Sequence, residues 1–261
     1  MTLSSYESIS VRELEKKFGN FVAVNKITFS VKKGEIFGFL GANGSGKSTT
    51  IRMLCGIIAP TSGQGTVAGY DIMTQPEEIK HAIGYMSQKF SLYEDMTPYE
   101  NLRFYLGVYS VPQTQWVERI NWILQMTRLS AAQNRLTRDL PPGWRQRLAL
   151  GCSLMHKPEI LFLDEPTSGV DPVTRRHFWT FIRQLAREGI TIFVTTHYMD
   201  EARFCERIVM LNQGNIVAAG SPAEIIAAAC PADPRADLND AFIKLMKPSD
   251  EAGNNNHAIR E

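Results

Sequence analysis

Gly41-Ala-Asn43-Gly44-Ser45-Gly46-Lys47-Ser48-Thr49 decides how this chain is read. The stretch satisfies G-x-x-x-x-G-K-[ST]. It follows Glu35-Ile-Phe-Gly-Phe-Leu40, an apolar run of strand character. Beyond Lys47, the residues Ile51, Leu54, Cys55 and Ile58 share a helical face, and Pro60-Thr-Ser-Gly63 is expected to stop that helix. Strand, glycine loop and helix together make a phosphate cradle. Glycines at 41, 44 and 46 let the backbone curl so that the N–H groups of the loop, with those of Asn43, Ser45 and Thr49, face phosphate oxygens at a helix N-terminus. Lys47 is expected to reach the β- and γ-phosphates and the Ser48 hydroxyl to bind Mg²⁺. A chance match in a Gly/Ser-rich turn would not bring the flanking strand, helix and lysine with it.

A metal site also needs an acid, and Ile160-Leu-Phe-Leu-Asp164-Glu165 delivers two at the end of an apolar strand. Burying an acid is costly unless it meets a cation. Asp164 is therefore expected to hold Mg²⁺ from its outer shell, and Glu165 to polarise an attacking water. Two acids ending a strand at the surface is the bland alternative, and the phosphate loop argues against it.

The rest of the chain frames these motifs. Ile27, Phe29 and Val31 alternate as in a half-buried strand, and further strands are expected at Thr191-Ile-Phe-Val194 and Ile208-Val-Met-Leu211. A helix carrying Phe178, Phe181, Ile182 and Leu185 lies before the first of these, so strands and helices alternate as in a parallel sheet covered on both faces. From about Thr97 to His156 the pattern is helical and opens with a Thr97/Glu100 capping box before Leu102, Tyr105, Leu106 and Tyr109. Another capping box, Ser221 with Glu224, opens a short helix near the end. The stretch 249–261 is too poor in apolar residues to order itself and is expected to be a loose tail.

With 261 residues, 44% of them hydrophobic, the chain can bury a sizeable core. Lys+Arg 28 against Asp+Glu 27 gives a net charge of +1, without the basic excess that draws proteins to nucleic acid. Cys55, Cys152, Cys205 and Cys230 are scattered and read as packed thiols. The start lacks a signal-peptide pattern, and no apolar run approaches the roughly 18 to 20 residues that cross a bilayer.

These motifs resemble the nucleotide-binding subunits of ATP-binding cassette (ABC) transporters over about 9–229. Tyr85-Met-Ser-Gln88 is similar to the family's Q-loop, whose glutamine contacts Mg²⁺ and moves with the membrane subunit. Ser168-Gly-Val-Asp171 resembles the D-loop, which places Asp171 at a dimer interface, although a helix cap before Pro172 is the plainer reading. Val194-Thr-Thr-His197 resembles the switch histidine that contacts the γ-phosphate. Phe18, in Lys17-Phe18-Gly19, stands where an aromatic stacks on adenine, with a core aromatic as the alternative.

One segment departs from the family. Where Leu-Ser-Gly-Gly-Gln is usual, this chain reads Leu140-Pro141-Pro142-Gly143-Trp144. The serine and glutamine are gone and two backbone donors with them, leaving Gly143 and Trp144 to offer N–H groups to an anion. A lost hydrogen bond to a charged group costs about 1.5 to 3 kcal/mol, whereas a lost general base costs about 10² to 10⁴ in rate. With Glu165 present, retuned hydrolysis rather than none is expected. The Pro-containing signature resembles bacterial multidrug-export ATPases of the daunorubicin-resistance type.

The resemblance implies an α/β fold of the P-loop NTPase, ABC nucleotide-binding type over 1–248, with an antiparallel β layer and a helical subdomain, about 89–157, inserted in the core. It implies ATP and Mg²⁺ as ligands, and catalytic roles for Glu165, His197 and Gln88. Ser48, Gln88 and Asp164 would serve the metal, and Pro141, Gly143 and Asp171 would face a second cassette's nucleotide. Two cassettes, identical or different, would close head to tail at the cytoplasmic face of a membrane. There a groove near 88–93 would grip a transporter subunit, through Phe90 and Leu92 among others. A soluble cassette acting on ribosomes or DNA would instead show paired cassettes or long coiled coils, and neither is legible. A nonhydrolytic ATP-gated module is suggested only by the altered signature, and Lys47, Asp164, Glu165 and His197 argue against it.

Overall fold

The computed structural model describes residues 7–89 and 92–246. Strands β1 (Glu7–Phe18) and β2 (Phe21–Lys32) pair as a hairpin, and β3 (Ile36–Gly41) leads through the glycine loop into α1 (Lys47–Leu54). Then come β4 (Ser62–Val67), β5 (Tyr70–Asp71), α2 (Pro76–Ala82) and β6 (Ile83–Met86). Three helices follow: α3 (Pro98–Val108), α4 (Trp116–Met126) and α5 (Pro142–Ser153). The chain returns through β7 (Ile160–Asp164), α6 (Pro172–Arg187), β8 (Thr191–Thr196), β9 (Arg207–Asn212) and β10 (Asn215–Gly220). Helices α7 (Pro222–Ala229) and α8 (Leu238–Met246) close the described part.

Two sheets result. The larger has the order β10-β9-β3-β8-β7-β6, parallel except for β10, and the smaller is antiparallel with the order β2-β1-β4-β5. Strands β3, β7 and β8 are buried along their whole length because both faces of the large sheet are covered. Leu40, Leu161, Leu163, Ile192 and Val194 face a core shared with the helices, including Leu102 and Leu106 of α3, Leu148 of α5, and Phe178 and Ile182 of α6. Phe37, Phe39, Phe162 and Phe193 face the opposite way, toward α1 and the small sheet, where the Phe29 ring lies 5.4 Å from that of Phe39. Period-two alternation thus sorts one apolar strand between two cores. The ion pair of Glu35 with Arg207, at 2.6 and 3.0 Å, ties the strand ahead of the loop to β9, and Arg207 also donates to the Ser30 carbonyl of β2.

This topology places the site. β3 lies between β8 and β9, and Leu40 is in register with Thr196, while Asp164 of β7 is in register with Thr195 of β8. The carboxyl ends of three neighbouring strands therefore open on one crevice, the usual ligand position in such sheets.

Both expected capping boxes are formed, at Thr97 with Glu100 and at Ser221 with Glu224. The helix after the loop ends earlier than its apolar spacing suggests, at Leu54 rather than at 60–63. Gly56 adopts φ +65°, Gly56 N–H donates to the Met53 carbonyl and Ile57 N–H to that of Arg52, which closes a Schellman cap that leaves Ile58 outside the helix. α2 and α8 were not expected. α2 buries only Ile79 and so writes no apolar stripe, whereas α8 carries one that went unread, Leu238, Ala241, Phe242 and Leu245 at helical spacing against the large core. The stretch 249–261 and Phe90 lie outside the described residues. Among the described residues, no helix is long and apolar enough to cross a membrane.

Candidate functional site

At the end of β3 the loop turns through Gly44 at φ +79° and Gly46 at φ +108°, and Gly46 is the N-cap of α1. Only glycine fits Gly46: a Cβ there would lie 2.6 Å from the Ala23 carbonyl. Lys47 is buried at 4% exposure, and its ammonium donates to the carbonyls of Gly41 and Ala42 at 2.8 and 3.0 Å. The loop surrounds a cavity of about 370 Å³ lined by Asn43, Gly44, Gly46, Lys47, Ser48 and Thr49, with Gln88 and Glu165 opposite and Phe21 at the side. Gly41 and Ser45 lie behind this lining, both buried. The Ser45 hydroxyl packs back against Gly41, where a Cβ would meet it at 2.5 Å.

The acids arrive on β7. Asp164, 4% exposed, accepts from the Thr195 hydroxyl at 2.7 Å and from Ser48 Oγ at 3.3 Å. Glu165 has φ +47°, a left-handed conformation that costs a non-glycine residue about 1 to 2 kcal/mol. Thr195 holds it there, accepting the Glu165 N–H on its hydroxyl at 3.0 Å and on its carbonyl at 3.2 Å. Strain so restrained is a mark of functional positions.

Three cationic or donor side chains converge on the Glu165 carboxylate. Lys47 Nζ lies 3.4 Å from Oε1, while Gln88 Nε2 donates to Oε2 at 3.0 Å and His197 Nδ1 lies 3.2 Å from the same oxygen. Four segments distant in sequence thus meet at one buried acid. Ser48 Oγ and the Asp164 carboxylate, 3.3 Å apart, are hard oxygen donors suited to Mg²⁺, and Gln88 lines the same cavity.

Other expected residues lie elsewhere. Phe18 is 52% exposed with Lys16 Nζ 5.1 Å from its ring, and it is Phe21, its cross-strand partner, that lines the cavity. The hairpin puts both aromatics at one end but turns only Phe21 toward the loop. Pro141, Gly143 and Asp171 are not brought to this cavity. They open α5 and α6, which touch where a Cβ on Gly143 would meet Thr174 Cγ2 at 2.6 Å. Asp171 caps α6, accepting from the N–H groups of Val173 and Thr174, and its bonds with Thr174 hold its carboxyl below the usual range. Trp144 is a correction. Its N–H already donates to the Pro141 carbonyl at 2.9 Å, because the first helical turn closes on itself, so Gly143 alone keeps an unclaimed N–H.

The sequence reading missed a buried polar chain behind these residues. Gln146 of α5 donates to the Pro166 carbonyl, and Thr167 donates to Glu201. Arg175 of α6 pairs with Glu201 at 3.4 Å and lies 3.9 Å over the ring of Tyr198, the neighbour of His197. Thr195 was also missed, because a β-branched residue inside a strand reads as filler.

A family model described as "ABC transporter" matches residues 24–168, more than half the chain. A shorter match, residues 145–199, is to a model described as an AAA domain, putative AbiEii toxin, Type IV TA system. The chain is 47% identical over 248 residues to the "Probable multidrug ABC transporter ATP-binding protein YbhF" of Escherichia coli (strain K12), covering 95% of this chain and 43% of that protein. It therefore spans less than half the length of that relative. It is 38% identical over 218 residues to the "Linearmycin resistance ATP-binding protein LnrL" of Bacillus subtilis (strain 168), covering 83% of this chain and 70% of the other. Among solved structures, one titled "Structure of ATP binding subunit of ABC transporter" superposes with a TM-score of 0.81 at 26% identity, over 92% of this chain and 99% of that one. The cassette MJ0796, in a dimeric post-hydrolysis state bound to ADP and Pi, gives a TM-score of 0.73 at 26% identity over 82% and 98%.

Proposed function

Because the chain belongs to the ABC transporter family and carries its ATP-binding cassette, we propose that it hydrolyses ATP with a second cassette and so powers a membrane-embedded exporter. The observation that carries this reading is the meeting of Lys47, Gln88 and His197 on Glu165, beside Ser48 and Asp164. Each of the three donors is held by the carboxylate at the place where a terminal phosphate needs donors. When nucleotide enters, Lys47 and His197 exchange Glu165 for phosphate oxygens, which frees the carboxylate to take a proton from the attacking water. Ser48, Asp164 and Gln88 would hold Mg²⁺, which would screen the phosphate charge. Phe21, which lines the cavity, is the aromatic on which adenine stacks, with Phe18 beside it at the same hairpin end.

The cassette MJ0796 is dimeric in its post-hydrolysis state, which supports reading Pro141, Gly143 and Asp171 as the half-site offered to a partner cassette. The names of YbhF and LnrL support the multidrug-export branch and amphipathic cargo. The membrane subunit would dock at a groove of about 230 Å³ formed by Tyr85, Leu92, Tyr105, Tyr109 and Cys152, at the cytoplasmic face of the membrane.

The test is phosphate release from ATP, with and without Mg²⁺, by the chain and by Glu165→Gln. The reading expects Mg²⁺-dependent turnover that falls about 10² to 10⁴-fold in the variant while ATP binding persists. Equal turnover in both would refute it.

A further inference from the structure

His197 is held more loosely than Lys47. Lys47 is buried and anchored by two loop carbonyls. His197 follows Thr196, the last residue of β8, and 33% of its side chain is exposed. Its polar and ring partners among the described residues are the Glu165 carboxylate, 3.2 Å from Nδ1, and the Tyr198 ring, with centroids 4.1 Å apart. The exchange of Glu165 for phosphate removes the first of these. Tyr198 is then what fixes the imidazole, and a group that must meet one oxygen atom depends on what packs behind it.

Behind Tyr198 stands Arg175 of α6. Its guanidinium carbon lies 3.9 Å from the centroid of the Tyr198 ring, its Nε 3.4 Å from Glu201 and its Nη1 3.8 Å from the exposed Asp200. Glu201 is itself fixed. It is 1% exposed, accepts from the Thr167 hydroxyl, and its N–H donates to the Tyr198 carbonyl at 3.1 Å. The Tyr198 N–H donates to the Thr196 hydroxyl at 3.0 Å, so the segment from Thr196 to Glu201 is a closed turn with the Arg175 side chain laid across it.

The Arg175–Glu201 pair is poorly made for stability alone. Arg175 Nε and Glu201 Oε2 are both buried without a hydrogen bond, whereas an arginine placed to bind an acid offers its two-pronged fork. A buried pair with such gaps gains little over apolar packing. What the geometry uses instead is the face of the guanidinium, which stacks on an aromatic ring as an ammonium does not.

We propose that Arg175 is a positioning residue for His197: it clamps the Tyr198 ring, and that ring keeps the imidazole aimed at the terminal phosphate after Glu165 has let it go. Arg175 touches no reacting atom, and its effect passes through Tyr198. The inference rests on the reading of His197 as a ligand of that phosphate.

The test uses the full chain and the variant Arg175→Lys. Lysine keeps a cation beside Glu201, so the buried acid stays paired, but it loses the planar face over Tyr198. In the nucleotide-free protein, labelled at histidine, the His197 imidazole resonance is assigned by its loss in His197→Gln. It should shift in Arg175→Lys while the resonances of His81 and His156 stay in place. In Mg²⁺-dependent ATP hydrolysis, kcat should fall about tenfold with KM changed by less than about twofold, because the phosphate loop still binds the nucleotide. Tyr198→Leu leaves the Arg175–Glu201 pair in place and should reproduce both effects, and adding Arg175→Lys to it should lower kcat little further. The proposal is overturned if the His197 resonance does not move in Arg175→Lys, if kcat is unchanged, if KM rises as much as kcat falls, or if the two substitutions act additively. A parent chain that hydrolyses no ATP would refute the proposed function instead, and the His197 resonance alone would then decide whether Arg175 positions it.

Discussion

Thr195→Val is the substitution that probes the site most sharply at constant shape. The side chain is fully buried, and valine replaces its hydroxyl with a methyl of similar volume. Two bonds are lost: the 2.7 Å bond to the Asp164 carboxylate and the 3.0 Å acceptor of the Glu165 N–H. The second is partly replaced, since the Thr195 carbonyl still accepts that N–H at 3.2 Å. The first is a bond to a charged group, so the net cost is about 2 kcal/mol. For a domain of this size that is a fall in Tm of about 4 to 8 °C. Turnover should fall further than stability explains, by about 10 to 100-fold, because Asp164 and Glu165 lose the partner that orients them. Thr195→Ser keeps both bonds and loses one methyl, about 0.8 kcal/mol, so it should restore turnover but only part of the Tm. Calorimetric melting and ATP hydrolysis on the three proteins decide the matter. A valine variant that hydrolyses ATP like the parent would refute the claim that Thr195 positions the acids.

Other perturbations have distinct signatures. Glu35→Ala leaves the part-exposed Arg207 without its carboxylate and should cost about 1.5 to 3 kcal/mol, read as a lower denaturant midpoint with ATP affinity of the folded protein unchanged. His156 titrates at about 4 when folded against 6.5 ordinarily, so its contribution to stability is full above pH 6.5 and is lost as pH falls toward 4. The loss amounts to roughly 3 kcal/mol across that window. His156→Phe should therefore flatten the fall in Tm between pH 6.5 and 4; an unchanged slope would remove His156 from the account. Pro141→Ser returns the hydroxyl that the signature segment lacks and should tighten ATP-dependent association or raise turnover by about tenfold. No change in either would mean that the Gly143 N–H suffices.

How much of this was legible in the sequence depended on whether the signal was local. Gly46, Lys47 and Ser48 specify their own backbone, and the apolar runs ending at Leu40 and Asp164 announce buried strands, so the loop and its acid could be read directly. Both capping boxes were legible for the same reason. The end of α1 was misread because apolar spacing runs on to Ile58, while the stop is set by Gly56 and two backbone bonds. Phe21 was passed over for Phe18 because spacing does not show which of two cross-strand partners lies nearer the loop. The convergence of Lys47, Gln88 and His197 on Glu165 depends on strand order and register. No single stretch of sequence carries that information, and the resemblance to a family supplied it.

The measurement that tests the account most directly is specific ATPase activity of the chain over a wide range of protein concentration. If the cavity at Lys47 and the segment at Pro141 to Gly143 serve different nucleotides, one chain lacks a complete site, and activity per molecule should rise with concentration toward a plateau. Substantial activity that stays constant down to concentrations where the chain is monomeric would contradict it, since a single cassette would then complete its own site.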